Sequence, residues 1–367
     1  MIIKGASVFC EDGSFVVKDV YVENHKIVAS EAEVTDKTVV DGTGCKLIPG
    51  LVDVHSHGAC GHDFCDCDVE GLKEILRYER ANGITSYCPT SMTLSKEMLL
   101  DIFATAKEAN GVEGGARVIG INMEGPFINM SKKGAQNGAY LQAPNAETFR
   151  ACNEASGGLI KLVTLAAEEE GAEEFINEVK DEVHISLGHT TANYDVAAKA
   201  FAAGADHVTH LFNAMPPLHH RDPGVIGAAF DNKKVYAELI CDGMHIHPSV
   251  VRTAFELFGA ERIVLISDSM MATGMANGEY QLGGQKVIMK DRMATLVDGT
   301  LAGSATCLYD CMKIAMSFGI PEADAVFAAT RNPAKSIGVY DQVGSISVGK
   351  EADLLLVDAD YNLLKVL

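Results

Sequence analysis

Short apolar segments rich in β-branched residues alternate along this chain with longer segments whose apolar residues recur at helical spacing. Several of the helical segments are followed by a glycine, which is a common helix end. A strand followed by a helix, repeated eight times, is the pattern of a parallel (β/α)8 TIM barrel in the α/β class. The eight predicted strands span residues 47–54, 85–88, 117–123, 160–165, 184–187, 207–211, 235–240 and 262–266.

The two ends of the chain depart from this alternation. Residues 1–46 and 344–367 contain short strand-like stretches and no convincing helix, and neither end is long enough to bury a core by itself. We therefore expect both ends to pair into one small β domain beside a catalytic barrel of residues 47–343. Glycines among short β-like pieces at 273–300 predict a hairpin insertion before the last barrel helix.

The charge of the chain excludes one broad class of partners. With 30 basic and 50 acidic residues, the formal net charge is -20. A field of that sign repels nucleic acids and anionic membrane surfaces. We therefore expect neither a nucleic acid nor a membrane as a partner.

The cysteines and the apolar segments indicate a cytoplasmic protein. The ten cysteines include no CxxC pair, and a chain of this length does not need disulfides to fold. The sequence shows neither a signal-peptide pattern at its start nor an apolar run of about 18 residues, the length of a membrane span. Three cysteines, Cys60, Cys65 and Cys67, lie close together, but their spacing matches no common structural zinc site.

Groups that can bind a metal or transfer a proton follow six of the predicted strands. His55 and His57 lie two residues apart at the end of the first strand, so both side chains point the same way and can bind one metal ion. His207, inside a strand, is instead expected to be a buried structural histidine. Barrel enzymes build their active sites from the C-terminal ends of the strands. The other residues at such ends are Glu124, His189, His210, His245 and Asp268.

Eight motifs, in order along nearly the whole chain, resemble the N-acetylglucosamine-6-phosphate deacetylase family of the amidohydrolase superfamily. They read PGLVDVHSHG, EGPF, KKGAQ, LGHT, THLFNAM, CDGMHIHP, SDSM and DGTLAGSA. HxH occurs in many amidohydrolases, whereas EGPF and HLFNAM are more specific. The resemblance implies a barrel with a small β-sandwich from both chain ends. It also implies metal-dependent hydrolysis of a small-molecule partner, N-acetyl-D-glucosamine 6-phosphate, to D-glucosamine 6-phosphate and acetate.

The same resemblance implies roles for individual residues. Asp268 matches the catalytic acid and base, and His245 matches a residue that polarises the amide carbonyl or orients the sugar. The implied metal ligands are Glu124, His189 and His210, with His55 and His57 for a second ion. One or two divalent ions per subunit, zinc or iron, suit these ligands. The implied substrate-binding residues are Gln136, Asn213, Ala214, Arg221, His245 and Leu301.

Two of these residues carry further implications, one for the oligomeric state and one for the branch of the family. Arg221 matches a phosphate-binding arginine that the family often donates across a dimer interface, so the resemblance implies a homodimer. Gln136 stands where another branch of the family has a histidine that touches the substrate. A glutamine can donate a hydrogen bond but cannot carry charge.

Other functions remain open at the level of sequence. A deacetylase of the galacto epimer uses the same chemistry, and a cyclic amidase is disfavoured because no lysine stands in a clear bridging position. A non-catalytic barrel that serves as a scaffold is expected to have lost some ligands, yet all are present. A metal-storage or sensing role for the Cys60–Cys67 region would leave the residues at the strand ends unexplained.

Overall fold

The computed structural model describes residues 1–367, and its largest sheet contains a strand from each of the eight predicted barrel regions. Leu51–Ser56 pairs with Ile84–Ser91, and parallel pairing then continues strand by strand to Ile263–Ile266. The (β/α)8 barrel is thereby confirmed. In chain order its strands are Leu51–Ser56, Ile84–Ser91, Ile121–Glu124, Ile160–Leu165, His184–Leu187, His207–Val208, Tyr236–Ile240 and Ile263–Ile266.

Ten α-helices accompany the strands. Polar side chains cap several helix starts: Asp68 accepts from the backbone N–H of Glu70, and Asn193 accepts from that of Val196. Such caps satisfy donors that have no partner within the helix. The helices span Val69–Ala81, Lys96–Ala109, Ala146–Ala155, Ala172–Val179, Tyr194–Ala203, Gly224–Asp231, Pro248–Phe258, Leu308–Ser317, Glu322–Ala329 and Arg331–Ser336.

Three predicted strands are interrupted or cut short in the structure, and the strand predicted at 85–88 is longer, at Ile84–Ser91. The region 47–54 is not one strand, because Lys46–Pro49 ends before Gly50 and the barrel strand Leu51–Ser56 begins after it. An added Cβ at Gly50 would collide with the side chain of Thr85, so this junction needs glycine. The region 117–123 is interrupted into Arg117–Val118 and Ile121–Glu124. The region 207–211 is a strand only over His207–Val208, because the chain turns away before His210.

Both chain ends form one separate small sheet, as predicted. Leu354–Val357 near the C-terminus pairs antiparallel with Lys46–Pro49, which in turn lies beside Ile2–Phe9. The resemblance implies a β-sandwich at this place, and the structure has one seven-stranded sheet there, in which every strand is hydrogen-bonded to a neighbour. Its strands are Ile2–Phe9, Phe15–Glu23, Lys26–Val28, Val39–Asp41, Lys46–Pro49, Leu354–Val357 and Leu363–Val366. The domain limits at residues 46 and 343 stay a prediction.

The insertion at 273–300 contains three strands, so the prediction of a hairpin was one strand short. Gly278–Leu282, Gln285–Lys290 and Met293–Leu296 form an antiparallel sheet. The first turn is Gly283-Gly284, with φ values of 55° and 76°. The second is Asp291-Arg292, with φ values of 52° and 70°. Positive φ at both central residues is typical of two-residue hairpin turns, and the second turn lacks the glycine that signals it in sequence.

The barrel strands are buried on both faces. Every residue of Leu51–Ser56 and of Ile263–Ile266 is buried. Parallel strands that are covered by helices outside and by side chains inside have this continuous burial. None of the helices combines the length and the hydropathy that a membrane span requires.

Candidate active site

A cavity of about 370 Å³ opens at the C-terminal ends of the barrel strands. Its wall includes the catalytic and metal-binding candidates predicted from the sequence, apart from His55, which lies beneath it. The fold therefore brings residues from six strand ends to one place, as expected for a barrel enzyme. The candidates that line it are His57, Glu124, His189, His210, His245 and Asp268.

Glu124 and two histidines form the first group of residues that could hold a metal ion. Glu124 Oε1 lies 3.1 Å from both His189 Nε2 and His210 Nε2, and the two nitrogens are 3.0 Å apart. Ligand atoms about 2 Å from a tetrahedral ion lie roughly 3.3 Å from one another. These three atoms have that spacing, and the same three residues are one of two groups in the structure that could hold an ion.

A hydrogen bond on the far side of the His189 ring supports this interpretation. His189 Nδ1 lies 2.8 Å from the carbonyl oxygen of Lys132, which can only accept. The proton of a neutral His189 is therefore on Nδ1, and Nε2 presents a lone pair to the Glu124 carboxylate. Two acceptors facing each other in a buried site are unfavourable without a cation between them, so the site fits a metal ion.

The second group consists of His55, His57 and Glu124. Glu124 Oε1 lies 3.5 Å from His55 Nε2, and Glu124 Oε2 lies 3.4 Å from His57 Nε2. His57 Nδ1 contacts the carbonyl oxygen of Thr90 at 3.1 Å, and His55 Nδ1 contacts the carboxylate of Glu238 at 2.9 Å. Both rings therefore direct Nε2 toward Glu124, and His55 Nε2 is buried without a hydrogen-bond partner. Glu124 stands between the two groups and fits a bridging role.

The backbone departs from strand geometry where three of the residues at the barrel mouth follow their strands. His189, His210 and Asp268 have φ values of 47°, 28° and 47°. Residues with side chains adopt this left-handed region rarely, and such strain concentrates at functional sites. Each of these residues lies two positions after the last residue of its strand.

Asp268 is placed beside the second ligand group. Its Oδ1 lies 3.3 Å from His57 Nε2 and 3.6 Å from His55 Nε2. Burial disfavours the charged form, but the hydrogen bond from His57 and the charges of the nearby histidines hold the pKa of Asp268 below its usual value. Asp268 is therefore a carboxylate that can accept a proton within the cavity.

His245 is oriented by an aspartate three residues earlier. Its Nδ1 donates to Asp242 Oδ2 at 2.8 Å, and Asp242 also accepts from the backbone N–H groups of Met244 and His245 at 2.9 Å each. Burial opposes the charged ring, yet Asp242 raises the pKa of His245 above its usual value. Nδ1 is occupied by Asp242, so Nε2 is the nitrogen available to a ligand.

The predicted substrate-binding residues divide into two sets. Arg221 does not line the cavity; it is exposed, and its Nη1 contacts His220 Nε2 at 2.8 Å. Gln136 lines the cavity, but both ends of its amide are engaged. Its Nε2 donates to Glu124 Oε2, and its Oε1 accepts from the backbone N–H of Thr93, each at 2.6 Å. Gln136, Asn213, Ala214 and Leu301 all lie in the cavity wall.

The cysteine cluster contributes to neither metal group. Cys65 Sγ accepts from the backbone N–H of Met92 at 3.2 Å, and burial raises the pKa of Cys60 to about 11. Protonated thiols are poor metal ligands. The zinc interpretation that the Cys60–Cys67 region suggested has no support from the geometry.

Sequence reasoning missed two carboxylates that act on the histidines of the site. Glu238 contacts His55, and Asp242 contacts His245. The signal for Asp242 was its place three residues before His245. Glu238 offered a weaker signal, since it is a single acidic residue inside the apolar strand Tyr236–Ile240.

The barrel and the two ligand groups at its mouth define a metal-dependent hydrolase. The model of the family described as "Amidohydrolase family" matches residues 47–366 of this chain. The chain belongs to the amidohydrolase family, whose members are generally metal-dependent.

Its curated relatives include enzymes that act on amino-sugar phosphates. The N-acetylglucosamine-6-phosphate deacetylase of Bacillus subtilis (strain 168) is 39% identical over 324 residues, which cover 87% of this chain and 82% of the relative. The N-acetylgalactosamine-6-phosphate deacetylase of Escherichia coli O157:H7 is 32% identical over 87% of this chain and 85% of the relative.

Solved structures agree over the full length of the chain. The N-acetylglucosamine-6-phosphate deacetylase from Pasteurella multocida matches with a TM-score of 0.92 and 29% identity, over 100% of this chain and 97% of that one. A variant of the Mycobacterium smegmatis deacetylase, in complex with N-acetyl-D-glucosamine-6-phosphate, matches with a TM-score of 0.92 and 28% identity over the same shares.

Proposed function

We propose that this protein hydrolyses the N-acetyl amide of N-acetyl-D-glucosamine 6-phosphate, releasing acetate and D-glucosamine 6-phosphate. The observation that carries the proposal is the convergence of Glu124, His189 and His210 with Asp268 on one cavity. An amide needs an activated water, a polarised carbonyl and a proton for the departing nitrogen. The cavity contains groups suited to each of these tasks.

We propose one or two divalent ions, zinc or iron, per subunit. Glu124, His189 and His210 would hold the first ion, and His55 and His57 with Glu124 would hold the second. When bound, a divalent cation supplies the Lewis acidity that acidifies water and stabilises negative charge on the amide oxygen.

Asp268 is the proposed acid and base. Its carboxylate takes a proton from the attacking water and then delivers it to the amide nitrogen as the C–N bond breaks, so the product leaves as an amine. His245, which Asp242 holds by Nδ1, donates from Nε2 to an oxygen of the substrate. The burial of Asp268 keeps this proton exchange away from bulk water.

The proposed phosphate anchor is Arg221 of the partner subunit in a homodimer. Arg221 is exposed and does not line the cavity of its own subunit, which supports a role across an interface. A guanidinium binds phosphate oxygens in a paired geometry, and over distances beyond about 8–10 Å salt screens the net charge of -20. Gln136, Asn213, Ala214 and Leu301 are the proposed contacts to the sugar.

We also propose a cytoplasmic location. All ten cysteines are free thiols, as is usual in a reducing compartment.

The proposed function is tested by acetate release from N-acetylglucosamine 6-phosphate, measured with zinc or iron supplied. The galacto epimer and the unphosphorylated sugar are the comparison substrates, and Asp268→Asn protein is the control for contaminating activity. We expect the gluco phosphate to have the highest kcat/KM. A higher kcat/KM for the galacto epimer would replace the proposed substrate, and no acetate from any of the three would overturn the proposal.

A further inference from the structure

Glu238 lies in the middle of the seventh barrel strand, Tyr236–Ile240, with its side chain inside the barrel. It is completely buried, and it is the acidic residue of an otherwise apolar segment between Ala237 and Ile240. A buried carboxylate is costly unless its charge is compensated and its oxygens accept hydrogen bonds. Its partners therefore indicate what it does.

One oxygen of Glu238 holds two metal-ligand residues. Glu238 Oε2 accepts from His55 Nδ1 at 2.9 Å and from the backbone N–H of His210 at 3.0 Å. His55 belongs to the second ligand group and His210 to the first. A single carboxylate oxygen thus connects the two groups from beneath.

The other carboxylate oxygen of Glu238 has no close group that would stabilise its negative charge. Glu238 Oε1 has no hydrogen-bond partner, and His207 Nδ1 is 3.7 Å away. A glutamine with its amide oxygen in the place of Oε2 would accept the same two hydrogen bonds without a buried charge. The negative charge therefore has a use beyond hydrogen bonding.

The charge acts on His55. A carboxylate at Nδ1 keeps the proton there, leaves the lone pair of Nε2 free, and makes that nitrogen a stronger ligand. His55 Nε2 is buried, has no hydrogen-bond partner, and lies 3.5 Å from Glu124 Oε1. Nothing else contacts Nδ1 of this ring, so its orientation depends on Glu238.

We propose that Glu238 is a positioning residue for the metal centre, needed to keep His55 as a ligand and therefore to fill the second ion position. This inference rests on the proposed metal-dependent function but concerns metal binding, which is measurable without turnover. The contact with the His210 backbone predicts a smaller effect on the first position, because His189 and Glu124 do not touch Glu238.

The experiment compares Glu238→Gln and Glu238→Leu with the unaltered protein. Each is loaded with cobalt(II), dialysed, and examined by elemental analysis and by its visible absorption, which reports the ligands and coordination number. Outer-sphere partners of metal-binding histidines typically change affinity by about 10- to 100-fold. We expect at least about tenfold weaker binding of the second ion in Glu238→Leu. The affinity of Glu238→Gln for the second ion is expected to lie between those of Glu238→Leu and the unaltered protein.

The matched control is Asp206→Asn. Asp206 Oδ2 makes the same kind of contact with a histidine, at 2.7 Å from His184 Nδ1, but that pair is half-exposed and outside the cavity. Its metal content and spectrum should equal those of the unaltered protein. If Glu238→Leu does not fold, the cobalt content and absorption spectrum of Glu238→Gln decide the question.

Two results would overturn the inference. One is a second ion bound with unaltered affinity and spectrum in the Glu238 variants, and the other is an unaltered protein that binds a single ion under saturating cobalt. Failure of the proposed function looks different. In that case the unaltered protein releases no acetate, while the loss of the second ion in the Glu238 variants still occurs.

Discussion

The backbone N–H of Asp268 donates to the carbonyl oxygen of His55 at 2.9 Å, which joins the end of the eighth barrel strand to the end of the first. The next contact along this junction is the N–H of His57 to the carbonyl oxygen of Ser269, at 2.8 Å. The proposed acid and base and the HxH pair therefore sit on the seam where the barrel closes. The distance between Asp268 and the two histidines therefore depends on these backbone hydrogen bonds as well as on the side-chain rotamers.

Metal removal should abolish turnover. Protein as purified is expected to carry one to two equivalents of zinc or iron, and chelation followed by dialysis should stop acetate release, because the acidification of water depends on the ion. Adding the ion back should restore the rate. Full activity in protein shown by elemental analysis to hold no metal would contradict the ligand assignment of Glu124, His189 and His210.

Asp268→Asn should lower kcat by about 10²- to 10⁴-fold, the usual contribution of a general acid and base. An amide cannot take up a proton, and Asp268 is not among the proposed metal ligands, so metal content should not change. Steady-state kinetics and elemental analysis test the two statements. Asp291→Asn, in an exposed turn of the insertion, is the control and should be fully active. If Asp268→Asn keeps the parent rate, another group is the base.

Arg221→Ala should weaken the use of the phosphorylated sugar specifically. A charge-assisted hydrogen bond is worth about 1.5–3 kcal/mol, so kcat/KM for N-acetylglucosamine 6-phosphate should fall about 10- to 100-fold. The unphosphorylated sugar should lose much less. Lys199→Ala removes an exposed cation from an outer helix and should change neither value. Equal losses on both sugars would assign Arg221 a structural role.

Mixing two inactive variants should recover activity if Arg221 serves the partner subunit. In a mixed dimer of Arg221→Ala and Asp268→Asn, one of the two sites has both residues intact. Random exchange makes half of the dimers mixed, so about a quarter of all sites should recover phosphate-dependent turnover. Native mass spectrometry would verify the exchange. With mixed dimers present, the absence of any gain would mean that Arg221 does not act across the interface.

Glu79→Gln should make stability less sensitive to pH. Glu79 is 1% exposed and neither carboxylate oxygen has a partner. Burial, with a smaller effect of Asp53, raises the pKa of Glu79 well above its usual value. The folded state then binds this proton more tightly than the unfolded state does. The stability contributed by this proton is complete below the unfolded pKa of about 4.3 and is lost as pH rises toward the folded pKa.

The measurement for Glu79 is the Tm of variant and parent between pH 5 and pH 8. The difference in Tm, variant minus parent, should become more positive as pH rises. The corresponding change in the free energy of unfolding is at most about 1.4 kcal/mol per pH unit. Glu74→Gln, an exposed position on the same helix, should show no such trend. A constant difference for Glu79→Gln would mean that this carboxyl is not protonated in the folded protein.

The barrel, the small sheet from both chain ends and the residues at the barrel mouth could be predicted from the amino-acid sequence. These follow from local signals, since strand and helix periodicities and short motifs such as HxH depend on neighbours within a few residues. Glu124, His189 and His210 could be placed at the barrel mouth before the structure because every parallel strand of a barrel ends at the same face. Their role as metal ligands was implied only by the family resemblance.

Tertiary structure decided the contacts between distant residues. His55 and Glu238 are 183 positions apart, and their contact exists only because the barrel closes. Three further features also depend on the tertiary structure. They are the hydrogen bond between Gln136 and Glu124, the position of Arg221 outside the cavity, and the third strand of the insertion. Periodicity tells which way a side chain points from its own strand, but its partner depends on the packing of the whole fold.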